Sequence, residues 1–229
     1  MILPQSHTLT TRHLNRVFDN TVATYKYYWF LGILDACVKQ GKSRINVWDI
    51  MISMVANAWY PVNYFRLSFG KSESLYDAII TLQREYNIPI NISINELTEL
   101  LQALIQRREV RRLLNFLQMN VPFRFLRPWI DTSDDKQTVL RSQTFENGCL
   151  YKLEKIDRIW WVEINPAWLP YLRENYDILT SFAFWGLTNF LQVRNPNVPN
   201  IPNKLIKREE RSSLLEQRKF WNTGLIGQN

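Results

Sequence analysis

The chain has 229 residues, a formal net charge of +7 at pH 7 and a hydrophobic fraction of 46%. That apolar fraction is enough for a sizeable core and excludes an intrinsically disordered chain. Seven glycines are few, which favours helices over a turn-rich β-sandwich. Two distant cysteines, Cys37 and Cys149, exclude a disulfide framework and indicate a reducing compartment. The excess of basic over acidic residues favours DNA or another anionic partner.

The apolar stretches indicate whether the protein is exported or spans a membrane. Residues 1–20 contain no apolar core of a signal peptide. The most apolar segments, Tyr27–Val38 and Leu179–Val193, are too short or too interrupted by polar residues for a span of roughly 20 apolar residues. We therefore expect a cytoplasmic protein without membrane contact.

Helices are predicted throughout the first third of the chain. Thr21–Lys39 has apolar residues at spacings of three and four, the pattern of a buried helix. Val47–Ala58 is predicted as a second helix that Pro61 ends, because proline lacks the backbone N–H that a helix needs. Ser72–Tyr86 is predicted as a third.

Ile94–Met119 predicts two further helices with a break near Gln106–Arg108, the second with its apolar residues turned to the core. Arginines lie outward or along one flank of this second helix: Arg107, Arg108, Arg111 and Arg112. Arginines on one flank can neutralise backbone phosphates and release counterions. The alternative is a solvated helix face paired with Glu99 and Glu109. Both interpretations stay open.

The second half of the chain contains the β signal. Cys149–Leu153 and Ile159–Ile164 are short, rich in β-branched and aromatic residues, and separated by a charged turn, which predicts a hairpin. Helices are expected at Pro166–Glu174 and Tyr176–Val193. The predicted fold class is therefore mainly α, multi-helical, with one small antiparallel β-hairpin.

The hairpin has two interpretations. It could be the wing of a winged helix-turn-helix, in which Lys152, Lys155 and Arg158 near the tip touch phosphates. However, roughly thirty residues separate it from the preceding helix, which is long for a compact wing. We favour a hairpin that caps the helical core.

Aromatic blocks interleave with cations at Tyr25–Phe30, Trp59–Phe69 and Phe123–Trp129. They could stack on unpaired bases, as in proteins that grip single strands. Tryptophan and tyrosine at helical spacing more often belong to the core. We therefore expect Trp29, Trp59 and Trp185 in the core. The cations of these blocks that we expect at the surface are Arg66, Lys71, Arg124 and Arg127.

Three regions are expected. Residues 1–131 form an N-terminal helical lobe, and residues 132–194 hold the hairpin and its helices, with the polar stretch Thr132–Lys136 as the boundary. Residues 195–229 begin with three prolines in seven residues, which predict a stiff, extended connector before a basic helix at Ile206–Trp221. The candidate nucleic-acid contacts of this third region are Lys204, Lys207, Arg208 and Arg211.

Four blocks carry a resemblance to a known family: Asp19–Leu31, Asn57–Lys71, Asn120–Leu126 and Gln192–Leu205. They resemble the N-terminal region of bacterial proteins that carry an HNH endonuclease domain at their C-terminus. The last block is similar to the segment just before the nuclease domain. The resemblance extends over nearly the whole chain, and it implies a bacterial protein of an HNH nuclease system.

The chain departs from this family where catalysis would lie. An HNH site needs a general-base histidine, metal ligands on a ββα hairpin and often a zinc held by paired cysteines. The chain has only His7 and His13, both ahead of the first predicted helix, and no C-x-x-C pair. Asp134-Asp135-Lys136 fits an acid-x-Lys nuclease pattern but falls in a predicted loop. We therefore expect an absent HNH domain, and no catalytic residue, metal or cofactor.

The leading hypothesis is a non-catalytic DNA-recognition or scaffold region of an HNH endonuclease-family protein, truncated before the nuclease domain. The alternative is a protein–protein interaction module that docks a separate nuclease or another partner. An enzyme acting on its own is least favoured, because no constellation supplies a base, a nucleophile or a metal site. No motif in the sequence indicates a small-molecule substrate.

Overall fold

A computed structural model describes residues 3–19, 21–70 and 73–205. Helices dominate, which confirms the mainly α prediction. A π-helical turn at Asp35–Lys39 continues α2, and a 3-10 turn at Glu146–Gly148 precedes the second strand. The helices are α1 Arg12–Asn15, α2 Tyr25–Leu34, α3 Val47–Asn63, α4 Ser74–Glu85, α5 Ile94–Leu104, α6 Arg108–Gln118, α7 Val121–Leu126, α8 Asp135–Ser142, α9 Trp168–Glu174, α10 Tyr176–Arg194 and α11 Pro202–Leu205.

The sheet has three antiparallel strands, β1 Arg44–Asn46, β2 Tyr151–Ile156 and β3 Ile159–Ile164, in the order β1-β3-β2. The predicted hairpin is confirmed as β2 and β3. Strand β1 was not predicted, because a strand of three residues with one buried side chain shows no alternating pattern. Its buried residue, Ile45, lies opposite Val162 of β3, and both are fully buried.

Helix α2 lies in the middle of the core. Eight of its ten residues are buried, as expected for a helix that is apolar on all sides. A buried hydrogen-bond chain joins it to two other elements. The indole Nε1 of Trp29 donates to the Tyr151 hydroxyl at 3.1 Å, and that hydroxyl donates to the Pro122 carbonyl at 2.7 Å. This chain connects α2, β2 and α7.

Helix α3 does not end at Pro61, so that prediction is wrong. The helix continues to Asn63, and both residues are buried. Proline removes one hydrogen bond and crowds the preceding turn. Here it stands in the last turn, where few bonds are lost. The Pro61 carbonyl still accepts from the Leu67 backbone N–H at 3.0 Å. Burial of this turn therefore outweighs the tendency of proline to end a helix.

The core prediction is confirmed for Trp29 and Trp59, which are 0% and 2% exposed. It is wrong for Trp185, which is 58% exposed. The reason is helical geometry: the buried face of α10 contains Ala183 and Leu187, and Trp185 points away from it. Its neighbour Gly186 belongs to the contact with α2. A Cβ atom there would lie 2.6 Å from the Tyr27 ring, so only glycine permits this close approach.

Glu73 is a buried acid at the start of α4 and is 4% exposed. Its Oε1 accepts hydrogen bonds from the Thr24 backbone N–H at 3.2 Å and from the Thr24 hydroxyl at 2.6 Å. Burial raises the pKa of Glu73 to about 7, although these hydrogen bonds and Arg194 act in the opposite direction. The carboxyl group thus joins the beginnings of α2 and α4 and has a pKa close to neutral pH.

Two polar or proline-rich segments differ from their predictions. Asp134 caps α8 by accepting from the Lys136 backbone N–H at 2.8 Å, so the acidic stretch begins a helix rather than forming a loop. The described part of the proline segment is not an extended connector. Pro202 begins the helical turn α11, a position that suits proline, and Ile201 and Leu205 are buried.

The buried residues on both sides of residue 131 belong to one hydrophobic cluster. For example, the rings of Trp129 and Trp168 meet edge to face with their centroids 6.1 Å apart. The division into regions 1–131, 132–194 and 195–229 stays a prediction.

Candidate nucleic-acid interface

Helix α6 presents part of the predicted arginine cluster to solvent. Its buried face contains Val110, Leu114 and Leu117, which fixes the opposite face outward. Arg108 and Arg112 are exposed and stand one helical turn apart. Among the described residues, no ion pair includes any arginine of this cluster. The predicted partners Glu99 and Glu109 form no direct ion pair with it there.

The other two arginines of the cluster contact the protein itself. Arg111 is half-buried, and its Nε donates to the Ile105 carbonyl at 2.7 Å, which satisfies a carbonyl at the end of α5. The Arg111 guanidinium also lies 5.8 Å from the centre of the Trp48 ring. Arg107 is exposed but lies over Tyr86 at 5.4 Å. Arg108 and Arg112 are thus the members free of such contacts.

Helix α7 supplies two further exposed arginines. The segment was expected only as an aromatic-basic stretch between prolines, but Val121–Leu126 is helical with Pro122 in its first turn. Phe123 and Phe125 are buried, and Arg124 and Arg127 are exposed on the other side. The mixture of aromatic and basic residues in this segment is therefore the amphipathic pattern of a short helix.

Lys26, in the first turn of α2, lies close to both of these arginines. Its Nζ donates to the Val17 carbonyl at 3.0 Å. Burial lowers the pKa of Lys26, the charges of Arg127 and Arg124 lower it further, and Asp19 raises it. The Asp19 carboxylate also forms an ion pair with Arg16, whose Nε lies 3.6 Å from Asp19 Oδ2. Lys26, Arg124 and Arg127 are thus near one another, and Asp19 is the acid that opposes their charge.

Helix α6 borders the same area. The ring of Phe116 packs against Tyr25, the neighbour of Lys26, with centroids 5.8 Å apart. Arg112 is one turn before Phe116 and therefore shares its side of α6. We call the surface formed by Lys26, Arg124 and Arg127 the basic patch; Arg112 lies on α6, which packs against α7. Lys26 was not among the predicted contacts, because its position beside α7 follows only from tertiary packing.

The remaining predicted contacts lie elsewhere. Lys204 is in α11, where its Nζ donates to the Pro199 carbonyl and lies 5.4 Å from the centre of the Phe65 ring. The Lys204 side chain is half-buried, so we assign its ammonium group to contacts that hold α11 in place rather than to a nucleic-acid surface. Three predicted contacts, Lys207, Arg208 and Arg211, lie outside the described residues.

No protein-family model, curated protein or solved structure matches this chain. Within residues 3–19, 21–70 and 73–205, no group of three His, Cys, Asp or Glu side chains is placed to hold a metal ion. None of the helices in this described part is long and apolar enough to cross a membrane.

Proposed function

We propose that this chain is a non-catalytic DNA-binding region that holds the phosphate backbone on the basic patch. The observation that carries the proposal is geometric: Arg124 and Arg127 are exposed at the end of α7, which packs against α2, and neither forms an ion pair within the described residues. The positive charges of Lys26, Arg124 and Arg127 repel one another. A polyanion on this surface would replace that repulsion with attraction and release its own counterions. The resemblance to the N-terminal region of HNH endonucleases supports DNA as the polyanion.

The architecture of the patch favours backbone contact over base reading. Its cations come from the first turn of α2 and from the C-terminal end of α7. Such contacts fix position on a duplex but carry no sequence information. We therefore propose a scaffold role, in which this region holds DNA for a nuclease domain of the HNH type.

Arg124→Gln/Arg127→Gln is expected to weaken DNA binding and to make it less salt-dependent. Each phosphate contact contributes about 0.9 to the slope of log affinity against log salt for a duplex, so the slope should decrease by about 2. Fluorescence anisotropy titrations with duplex and single-stranded probes at several salt concentrations measure this.

The matched control removes the same charge elsewhere. Arg44 bonds Glu154 at 2.7 Å on the sheet. Arg173 is exposed on α9, which packs against the π-helical turn at the opposite end of α2 from Lys26. Arg44→Gln/Arg173→Gln should retain the wild-type slope. Equal slopes for both double variants, or no binding by the wild type at low salt, would refute the proposal.

A second candidate function is docking of a separate HNH nuclease domain. One face of α10 favours it: Ile178, Trp185 and Val193 are 42%, 58% and 78% exposed and stand about two turns apart. Exposed tryptophans are frequent hot spots of protein interfaces.

Trp185→Ala is expected to reduce affinity for a purified HNH nuclease domain by about 30-fold or more, the typical effect of losing a hot spot. Isothermal titration calorimetry measures the affinity. Leu140→Ala is the control, because Leu140 is an equally exposed apolar residue, on α8. If Trp185→Ala and Leu140→Ala bind alike, the α10 face is not the docking surface.

A further inference from the structure

A tight turn at residues 16–19 lies beside the basic patch. The Asp19 backbone N–H donates to the Arg16 carbonyl at 3.0 Å, which closes the turn. The two residues inside the turn anchor it, because Val17 is fully buried and Phe18 packs against the hydrophobic core. The turn therefore holds Arg16 and Asp19 at fixed backbone positions on the surface, where both side chains are 59% exposed.

Lys26 joins this turn to the basic patch. Its Nζ donates to the Val17 carbonyl at 3.0 Å, two residues before Asp19 in the chain. The pKa of Lys26, which burial lowers, is raised by the charge of Asp19 and lowered further by Arg127 and Arg124. The carboxylate of Asp19 thus acts on the same ammonium group as the two arginines. A phosphate that binds the patch therefore meets Asp19 as a like charge.

The contact that Asp19 makes with Arg16 is loose. Arg16 Nε lies 3.6 Å from Asp19 Oδ2, which is too long for a hydrogen bond. Neither residue has another ion pair within the described part of the chain. Exposed ion pairs of this kind contribute little to stability. The Asp19 side chain can therefore rotate between the Arg16 side and the Lys26 side at little cost in folding stability.

We propose that Asp19 is an internal competitor of the DNA phosphate at the basic patch, and that Arg16 is a positioning residue that draws the Asp19 carboxylate away when DNA binds. This inference rests on the proposed DNA-binding function and specifies what sets its affinity. In the free protein the carboxylate offsets part of the repulsion among Lys26, Arg124 and Arg127. A bound phosphate replaces it, and Asp19 then pairs with Arg16. Asp19 therefore lowers both the affinity for DNA and its salt dependence, because it neutralises part of the patch before DNA arrives.

Asp19→Asn is expected to tighten binding of duplex DNA about two- to fivefold at low salt, the range of an exposed charge contact. It should also steepen the slope of log affinity against log salt, by at most about 0.9, the contribution of one phosphate contact. Fluorescence anisotropy titrations of the full chain with one duplex probe at several salt concentrations measure both quantities.

The matched control is Asp49→Asn, which removes the same charge from another exposed ion pair. Asp49 pairs with Lys42, which follows the C-terminal end of α2 and its π-helical turn, whereas Lys26 is in the first turn of α2. Asp49→Asn should therefore retain the wild-type affinity and slope. Equal gains in affinity for Asp19→Asn and Asp49→Asn would show only the effect of net charge and would overturn the proposal.

A double-mutant cycle tests the part assigned to Arg16. Arg16→Gln should weaken DNA binding about two- to fivefold in the wild type, because Asp19 then stays beside the patch. It should have a much smaller effect in Asp19→Asn, where no carboxylate has to be drawn away. An equal loss in both backgrounds would mean that Arg16 contacts a phosphate directly and would overturn its assigned role.

The outcomes separate this inference from the function on which it rests. If the wild type binds DNA and Asp19→Asn binds no more tightly, Asp19 is not a competitor, although the DNA-binding function stands. If the wild type does not bind DNA at low salt, both the function and this inference are refuted.

Discussion

Trp29→Ala is expected to lower the free energy of unfolding by about 3–5 kcal/mol, the usual cost of removing a large aromatic side chain from a core. Trp29 is completely buried in α2, and its indole donates to Tyr151. The substitution leaves a cavity and removes a donor of the buried hydrogen-bond chain. Urea denaturation followed by circular dichroism measures the change.

Two companion variants separate these contributions. Tyr151→Phe keeps the ring but leaves the Trp29 indole and the Pro122 carbonyl without their partner, which should cost about 1–3 kcal/mol. Trp185→Ala removes the same side chain as Trp29→Ala from an exposed position and should change stability by no more than about 0.5 kcal/mol. Similar losses for Trp29→Ala and Trp185→Ala would contradict the described core.

Stability is expected to fall as pH rises from about 4.5 to about 7, through Glu73. In the unfolded chain its carboxyl has the ordinary pKa of 4.5, whereas burial raises the pKa in the folded protein to about 7. Between these values the folded state keeps a proton that the unfolded state has released. Rising pH therefore favours unfolding. The difference between the two pKa values corresponds to about 3 kcal/mol of folding stability, and this contribution is fully lost above pH 7.

Glu73→Gln should remove this pH dependence and make the protein more stable than the wild type at pH 8. The amide keeps an oxygen that can accept from Thr24 but has no proton to lose. Glu85→Gln, at the exposed last residue of α4, is the control and should follow the wild-type profile. Unfolding free energies from urea titrations between pH 4 and pH 8 make the comparison. Parallel profiles for wild type and Glu73→Gln would disprove the assignment.

Elements that depend on local pattern could be predicted from the sequence. The apolar spacing of α6 and the β-branched character of the β2–β3 hairpin are local features, and both elements are present. Elements that depend on distant partners could not be predicted. Strand β1 exists because Ile45 meets Val162, and α3 continues past Pro61 because that turn is buried.

The same distinction applies to the candidate sites. Arg124 and Arg127 could be nominated from the sequence, because they are interleaved with aromatic residues that are expected in the core. Lys26 could not, since its proximity to them follows from the contact between α2 and α7.

The position of α2 near the N-terminus has a consequence for biosynthesis. Its partners in β2 and α10 leave the ribosome much later, at residues 151–194. At translation rates of about 5–20 residues per second, the nascent α2 waits on the order of 10 s before they emerge. During that interval Tyr27, whose ring packs against Phe190 of α10, and Trp29, whose indole donates to Tyr151 of β2, lack these partners. Ribosome-bound intermediates therefore expose apolar surface of α2 to chaperones and proteases.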